Sequence, residues 1–302
     1  MAIAKPNFFV VGAPKSGTTS LYIYLSQHPQ VFLPRKKELN YFCFDLHFNY
    51  PLLSYQQFMS YYEEVKNETA IGEISVWNLF SKDAAQKIFD FNPESKIIIM
   101  LRNPVEMMYV LHSNHLYSGN ENINDFGEAL NEEEIRKRGE LIPNNIRCPY
   151  EGLQYREVAK YSKQVLQYFK IFGRENVKVI LFDDFIGETE RSFKEILLFL
   201  KVDENFLPEL KPYNVSKTTR SKFLKQLITN PPSFIKRIGK IFFPHQTKRR
   251  DWLMIKLWKL NSKKLERRKM DERLREKLIL EFTPEINELQ KVIEKDLSHW
   301  LL

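Results

Sequence analysis

The sequence predicts an α/β protein: a P-loop-like parallel β-sheet flanked by helices on both faces. We expect a single domain over residues 1–302 with a basic helical C-terminal portion. Three apolar runs, at residues 8–11, 96–101 and 177–182, lack the polar alternation of a half-exposed strand. Such runs are typical of parallel strands that are buried on both faces. Segments with helical periodicity separate the runs, and this alternation indicates a parallel sheet covered by helices.

A glycine-bounded loop follows the first apolar run and gives the prediction its P-loop-like character. Gly12 and Gly17 flank this loop, and a run with helical spacing comes next. Glycines let a backbone approach an anion closely, and the N–H groups at a helix start point towards it. Lys15 adds a full positive charge, and Thr18 and Thr19 add hydroxyl groups. The loop differs from the nucleotide motif G-x-x-x-x-G-K-[ST], because Thr18 stands where that motif has lysine.

The other elements follow from hydrophobic periodicity and from helix start and stop signals. Short apolar runs predict further strands at residues 31–34 and 69–73. Amphipathic spacing predicts helices at residues 54–65, 82–91, 105–116, 125–138, 157–172 and 189–200. The polar stretch 119–149 is expected to be a helix and a surface loop that shapes a substrate cleft.

Four polar or glycine positions come at or just after the ends of the predicted strands. They are Gly12, Glu73, Arg102 and Asp183. Ligands of open parallel sheets bind outside the carboxyl ends of the strands. We therefore expect these four residues to converge on one crevice.

Charge is distributed unevenly along the chain. The net charge is +8, yet residues 216–270 alone hold 17 Lys and Arg against two acidic residues. This asymmetry indicates an anionic ligand or surface near the basic segment 216–270. Two interpretations stay open, a lid over a nucleotide and a membrane-facing subregion of interfacial helices. Nucleic acid is not expected as a partner, because no recognised motif accompanies the charge.

Cysteine content and hydropathy suggest a compartment. Cys43 and Cys148 are the two cysteines, which is too few for a disulfide framework. The N-terminus has no long apolar region, and no window approaches the ~20 apolar residues of a membrane span. We expect a cytoplasmic enzyme, with peripheral contact to an anionic membrane as the alternative. The six histidines show no metal-ligand spacing, so no metal site is expected.

Four segments resemble one enzyme family, in the same order along the chain. VGAPKSGTTSL at residues 11–21 resembles the 5′-phosphosulfate loop of sulfotransferases that use 3′-phosphoadenosine 5′-phosphosulfate (PAPS). IIIMLRNPVE at 97–106 resembles the strand and turn that bind the 3′-phosphate. KELNYF at 37–42 resembles the segment holding the catalytic base in the heparan-sulfate-sulfotransferase-like branch. The tail at 289–300 resembles the closing helix of that branch.

The resemblance implies a set of donor-binding residues for PAPS and its product, 3′-phosphoadenosine 5′-phosphate (PAP). The 5′-phosphosulfate would be held by Lys15, Ser16, Gly17, Thr18 and Thr19. Arg102 would hold the 3′-phosphate with two hydrogen bonds. The family serine eight residues later is replaced by Val110, and Ser113 one helical turn on is the substitute. A late loop that closes over the nucleotide would contribute Ser216, Lys217 and Arg220.

The resemblance also implies the chemistry. A sulfuryl group passes from PAPS to a hydroxyl or amine, without a metal, and Lys15 stabilises charge on the bridging oxygen. Glu38 would be the general base, with Tyr41 and Phe42 as aromatic walls. His112 and His115 are rival bases, and Glu73, at a strand end, is the competing carboxylate. The acceptor class stays open between carbohydrate, lipid and small alcohol.

An alternative function is a P-loop small-molecule kinase or NTPase that uses Mg-ATP. The strand at residues 177–182 followed by Asp183 mimics the strand that presents an aspartate to Mg²⁺. The missing Gly-Lys pair after the loop disfavours this alternative.

Overall fold

A computed structural model of the chain describes residues 4–210 and 269–302, together with the backbone of two short strands at 217–219 and 262–264. The chain divides into two compact units, Met1–Lys211 with Met270–Leu302, and Pro212–Lys269. The predicted α/β class is confirmed in the first unit, which holds a five-stranded sheet flanked by helices.

All five strands of this sheet run parallel, in the order β2-β3-β1-β4-β5. Their bounds are β1 Phe8–Gly12, β2 Val31–Phe32, β3 Ala70–Ile74, β4 Lys96–Leu101 and β5 Val177–Leu181. β1 lies between β3 and β4, so the loop after Gly12 leaves the middle of the sheet. The carboxyl ends of β3, β4 and β5 lie beside it, which is where ligands of such sheets bind.

The helices that connect and cover these strands are mostly short. Their bounds are α1 Thr18–Leu25, α2 Tyr55–Met59, α3 Ala84–Phe91, α4 Pro104–Ser118, α5 Phe126–Asn131, α6 Glu133–Lys137, α7 Tyr155–Val158, α8 Tyr161–Phe172, α9 Phe182–Gly187, α10 Thr189–Leu200 and α11 Glu272–Ile293. Single 3₁₀ turns occupy Ser60–Tyr62, Tyr150–Leu153, Arg174–Asn176 and Ser298–Leu301.

Both faces of the sheet are buried, as the unbroken apolar runs predicted. Phe9 and Val11 of β1 face a large core that also holds the aromatic cluster after Glu38 and the inner side of α8 and α11. Phe8 and Val10 point to the opposite face and are equally buried. Alternate residues of a strand point to opposite sides, so only a sheet covered twice buries all of them.

Three predicted helices are interrupted, and two strands end earlier than expected, β2 at Phe32 and β5 at Leu181. Residues 54–65 give α2 and a 3₁₀ turn, with Ser54 forming a capping box at the start. The predicted helix 125–138 breaks at Glu132, and the one at 157–172 breaks where Lys160 takes a non-helical ψ of 81°. β5 passes directly into α9, so Asp183 lies in a first helical turn rather than in a loop.

Only a strand pair of the second unit is described: β6 (Lys217–Thr219) pairs antiparallel with β7 (Ser262–Lys264). Most of the basic segment 216–270 lies outside the described residues, so its role stays a prediction, as does the single-domain organisation. Among the helices that the structure describes, none is long and apolar enough to cross a membrane.

Candidate active site

The loop between β1 and α1 is held against the neighbouring strand. The backbone N–H of Ala13 donates to the carbonyl of Met100 on β4, at 2.6 Å. Lys15 has φ 60° and Gly17, the N-cap of α1, has φ 91°, so the loop turns twice through left-handed backbone. A Cβ at Gly17 would lie 3.1 Å from the Phe182 ring, so glycine is needed here for space as well as for φ.

The hydroxyl-bearing residues of the loop have different surroundings. Ser16 is buried, and its hydroxyl donates to the carbonyl of Pro14 at 3.3 Å. Thr18 is buried too, and its Oγ1 accepts a hydrogen bond from the Lys37 ammonium at 2.9 Å. Thr19 is half-buried on the first turn of α1. The loop therefore contacts a second lysine, Lys37, which comes from the segment at residues 37–42.

Glu38 lies at the end of β3, beside this loop. Its backbone N–H donates to Ile74 O at 3.0 Å, and its Oε2 accepts the backbone N–H of Val76 at 2.9 Å. Its Oε1 lies 2.9 Å from Lys37 Nζ. Glu38 also has φ 62°, which is uncommon for a residue with a Cβ. Strained backbone of this kind concentrates at functional sites, because the surrounding structure must hold it in place.

A second carboxyl group, Glu73 on β3, lies beneath Glu38 and is fully buried. Its two oxygens accept hydrogen bonds from the Ser75 hydroxyl and, at 3.1 Å, from the Asn78 amide. Burial raises the pKa of Glu73 to about 8, and the nearby charge of Glu38 adds to the rise. Glu73 is therefore mostly protonated at neutral pH. Sequence reasoning had made it a rival base at a strand end, whereas it lies inside the strand and is sealed from solvent.

Arg102 comes directly after β4, as the sequence predicted. Its guanidinium makes a cation–π contact with Phe182, 4.7 Å from the ring centroid. Burial lowers the pKa of Arg102, and the charges of Glu106 and Asp183 oppose that effect. An arginine stays charged under such a shift. Phe182 thus connects the two predicted anion sites, since the same ring touches Arg102 and limits the space at Gly17.

Trp300, in the last 3₁₀ turn, contacts the residue that follows Arg102. Asn103 caps α4 through its side-chain oxygen, and its amide donates to Trp300 O at 3.0 Å. Trp300 Nε1 donates to Asp183 Oδ2, also at 3.0 Å. The buried Trp300 therefore ties the end of β4 to the start of α9. Asp183, whose placement after a strand mimicked a Mg²⁺ ligand, has a protein partner on one of its oxygens.

The two rival histidines lie in the interior. His112 Nε2 lies 2.9 Å from Ile123 O, and burial lowers the pKa of its ring. His115 is fully buried, and burial lowers its pKa to about 3, with the Lys15 charge among the further causes. His115 is therefore neutral at physiological pH. Neither ring is placed on the surface of a cleft, where an acceptor hydroxyl would have to approach.

The 3′-phosphate serine and the closing loop are less defined. Val110 is buried, and the Ser113 hydroxyl on the half-exposed side of α4 donates to Tyr109 O at 2.9 Å. Ser216 and Arg220 lie outside the described residues, and of Lys217 only the backbone, in β6, is described. The assignments of Ser113, Ser216, Lys217 and Arg220 to the donor site stay predictions.

Other site predictions concern metals and cysteines. In the described ranges, 4–210 and 269–302, no group of three His, Cys, Asp or Glu is placed to hold a metal ion. Cys43 and Cys148 are both free and buried.

The residue that sequence reasoning missed is Lys37. It stands in the charged run at residues 35–38, which by pattern alone resembles a solvated turn. The one feature of the sequence that could have indicated Lys37 is its position directly before the candidate base, Glu38. Asn78 and Ser75 were also missed, since a polar residue after a buried strand does not by itself indicate which carboxylate it serves.

Comparisons with known proteins identify the family of the chain. A family model described as "Sulfotransferase domain" matches residues 5–300. A sulfotransferase from Alicyclobacillus acidocaldarius, solved as a crystal structure, is 30% identical, with 99% of each chain covered and a TM-score of 0.73. Carbohydrate sulfotransferase 15 of Mus musculus is 24% identical over 248 residues, which are 65% of this chain and 44% of that protein.

A shorter match of 36% identity over 101 residues is to the membrane-associated sulfotransferase kil1 of Dictyostelium discoideum, and it covers 33% of this chain and 21% of that protein. The chain thus spans less than half the length of these two curated relatives. The family model nevertheless covers almost all of the present chain, and the A. acidocaldarius structure matches it from end to end. The chain belongs to the sulfotransferase family.

Proposed function

We propose that the protein transfers a sulfuryl group from PAPS to a hydroxyl or amine group of an acceptor. The single observation that carries this proposal is the arrangement of the loop after β1 with Glu38. A left-handed, lysine-bearing loop at a helix N-terminus is suited to an anion. Glu38 is joined to that loop through one side chain, because Lys37 Nζ lies 2.9 Å from Thr18 Oγ1 and 2.9 Å from Glu38 Oε1.

The positive groups fit the two anionic ends of PAPS. Lys15, the N–H groups of residues 16–19 and the N-terminus of α1 would hold the 5′-phosphosulfate. Arg102, oriented by Phe182, would hold the 3′-phosphate, which no ATP molecule has. A planar guanidinium is matched to phosphate oxygens and gives two parallel hydrogen bonds.

The chemistry needs an in-line displacement at sulfur. The acceptor oxygen forms a bond to sulfur while the bond from sulfur to the bridging phosphate oxygen breaks. Glu38 takes the proton that the acceptor loses, and Lys15 stabilises the negative charge left on PAP. Glu73 is unsuited to the base role, since it is buried and mostly protonated at neutral pH.

Two carboxyl groups in contrasting environments support this division of roles. Glu38 pairs with an ammonium and a backbone N–H at the crevice, whereas Glu73 has neutral hydrogen-bond donors in the interior. A carboxyl group at a crevice beside a second one that is buried and protonated is a recurring arrangement of an acting base and its neutral neighbour.

Donor identity is the direct test. Titration calorimetry in EDTA should show PAP binding without Mg²⁺. Binding of ATP alone, and only when Mg²⁺ is added, would contradict the proposal and favour the kinase alternative. Incubation with PAPS and a panel of carbohydrates, lipids and small alcohols, followed by mass spectrometry for sulfated products, would then identify the acceptor class.

A further inference from the structure

Lys37 occupies the junction between the donor loop and the candidate base. Its ammonium donates a hydrogen bond to Thr18 Oγ1 and forms an ion pair with Glu38 Oε1, both at 2.9 Å. The side chain is 16% exposed, whereas the neighbouring Lys36 is exposed and lies over the Tyr61 ring at 5.8 Å. One of two adjacent lysines is therefore drawn inward, and the other remains at the surface.

The surroundings of Lys37 are mostly positive. Thr18 is the first residue of α1, and a helix N-terminus carries a partial positive charge. Lys15 lies in the same loop. Cations are stabilised at helix C-termini and not at N-termini, so a second lysine at this end of α1 is unfavourable by itself. Glu38 compensates for one charge, and an anion bound by the loop would compensate for the rest.

An ammonium group has three N–H donors. The hydrogen bond to Thr18 uses one, and Glu38 Oε1 is an ion-pair partner at 2.9 Å, so a donor remains for a group that lies between the loop and Glu38. In an in-line transfer the sulfuryl group occupies that position, because its sulfur must lie between the bridging oxygen and the acceptor oxygen. The loop holds the first of these oxygens, and Glu38 approaches the second.

We propose that Lys37 is a further catalytic residue, whose ammonium donates a hydrogen bond to an oxygen of the transferring sulfuryl group. This inference rests on the proposed function. Lys37 exchanges no proton in the step: it stabilises negative charge on the sulfuryl oxygens as the sulfur–oxygen bonds form and break. Lys15 acts at the leaving phosphate, so the two lysines act on different parts of the donor.

The experiment compares PAPS, which has the sulfuryl group, with PAP, which lacks it. Competition binding would be measured for the wild-type protein and for Lys37→Met, which keeps side-chain length without charge. We expect Lys37→Met to weaken PAPS binding on the order of 10- to 100-fold while PAP binding changes by less than about twofold. Lys36→Met is the matched control and should change neither affinity.

Two further variants separate direct contact from other roles. Glu38→Gln keeps Lys37, so it should retain the wild-type preference between PAPS and PAP; a loss would mean that Lys37 acts through Glu38. Lys37→Arg keeps the charge and should restore part of the PAPS affinity. If Lys37→Met does not fold, Lys37→Arg is the test variant. The ratio of its PAPS affinity to its PAP affinity must then differ from the wild-type ratio, because the guanidinium donors are placed differently.

The outcomes separate this inference from the proposed function. Wild-type protein that binds neither PAP nor PAPS would overturn the function itself. Normal wild-type binding, with Lys37→Met equal to wild type for both nucleotides, would overturn only the role of Lys37. Equal weakening of both nucleotides would also overturn it, because Lys37 would then contact a phosphate and not the sulfuryl group.

Discussion

Replacing Glu73 with glutamine should make the stability of the protein less sensitive to a rise in pH from about 5 to about 8. Glu73 has a folded-state pKa of about 8, compared with the ordinary value of 4.5, because of burial and the nearby Glu38 charge. Between these two values the unfolded chain has lost the proton and the folded protein still holds it. Stability is therefore greatest below the lower value and falls as the pH rises towards the upper one.

The size of the effect follows from the same shift. Each pH unit inside the window removes about 1.4 kcal/mol of stability when one proton is involved. Across the window the loss is roughly 4–5 kcal/mol as an upper bound. The glutamine side chain in Glu73→Gln does not titrate, and its amide can still accept from Asn78 and donate to the Ser75 hydroxyl. The stability of Glu73→Gln minus that of wild type should therefore rise steadily from about pH 5 to about pH 8.

Thermal unfolding at several pH values in this range measures that difference. A domain of this size shifts its melting temperature by about 2–4 °C per kcal/mol, so the separation should grow by several degrees. Glu63→Gln, on an exposed carboxyl group, is the control and should show no such trend. A difference between Glu73→Gln and wild type that stays flat over the range would refute the reasoning, since Glu73 would then be ionised in the folded protein.

The other predictions concern activity with an acceptor found by the product screen, and membrane binding. Glu38→Gln should lower kcat by about 10²–10⁴ with PAP affinity nearly unchanged, whereas His112→Asn should keep most of the activity. A wild-type kcat in Glu38→Gln would exclude Glu38 as the base. Lys15→Ala should lower kcat by about 10²–10³, whereas Arg102→Ala should mainly weaken PAP binding, on the order of 10- to 100-fold. Near-normal turnover in Lys15→Ala would remove its assigned role. If the basic segment 216–270 contacts membranes, the protein should sediment with anionic liposomes, and added salt should reduce binding; no sedimentation would leave the lid interpretation.

The sheet was predictable because its strands are buried on both sides. The runs in β1, β4 and β5 are unbroken apolar stretches, a composition that fits a buried strand better than an amphipathic helix or a loop. Their observed bounds differ from the predicted ones by one residue at most. The helices were less predictable, since periodicity does not reveal local breaks. The break at Lys160, where ψ is 81°, has no glycine or proline within residues 157–172 to mark it in the sequence.

The candidate site likewise has residues that the sequence indicates and environments that it does not. Lys15, Arg102 and Glu38 could be proposed from the sequence because a loop, a strand end and a short motif each mark their positions. The different environments of Glu38 and Glu73 were not predictable, because burial and the contacts of Ser75 and Asn78 depend on how distant segments pack. The sequence offered two carboxylates near strand ends, and only the structure separates them by their surroundings.

The partners of Asp183 bear on the choice between sulfuryl and phosphoryl transfer. In a kinase or NTPase, an aspartate at this strand end would direct its oxygens to a metal ion next to the phosphates. Here Oδ2 accepts the indole N–H of Trp300, and His299 lies 3.5 Å from the same oxygen. Because Trp300 also accepts from Asn103, the carboxylate serves to hold the segment that carries Arg102. An aspartate with these partners favours the proposed 3′-phosphate site at Arg102, and a 3′-phosphate is the group that PAPS has and ATP lacks.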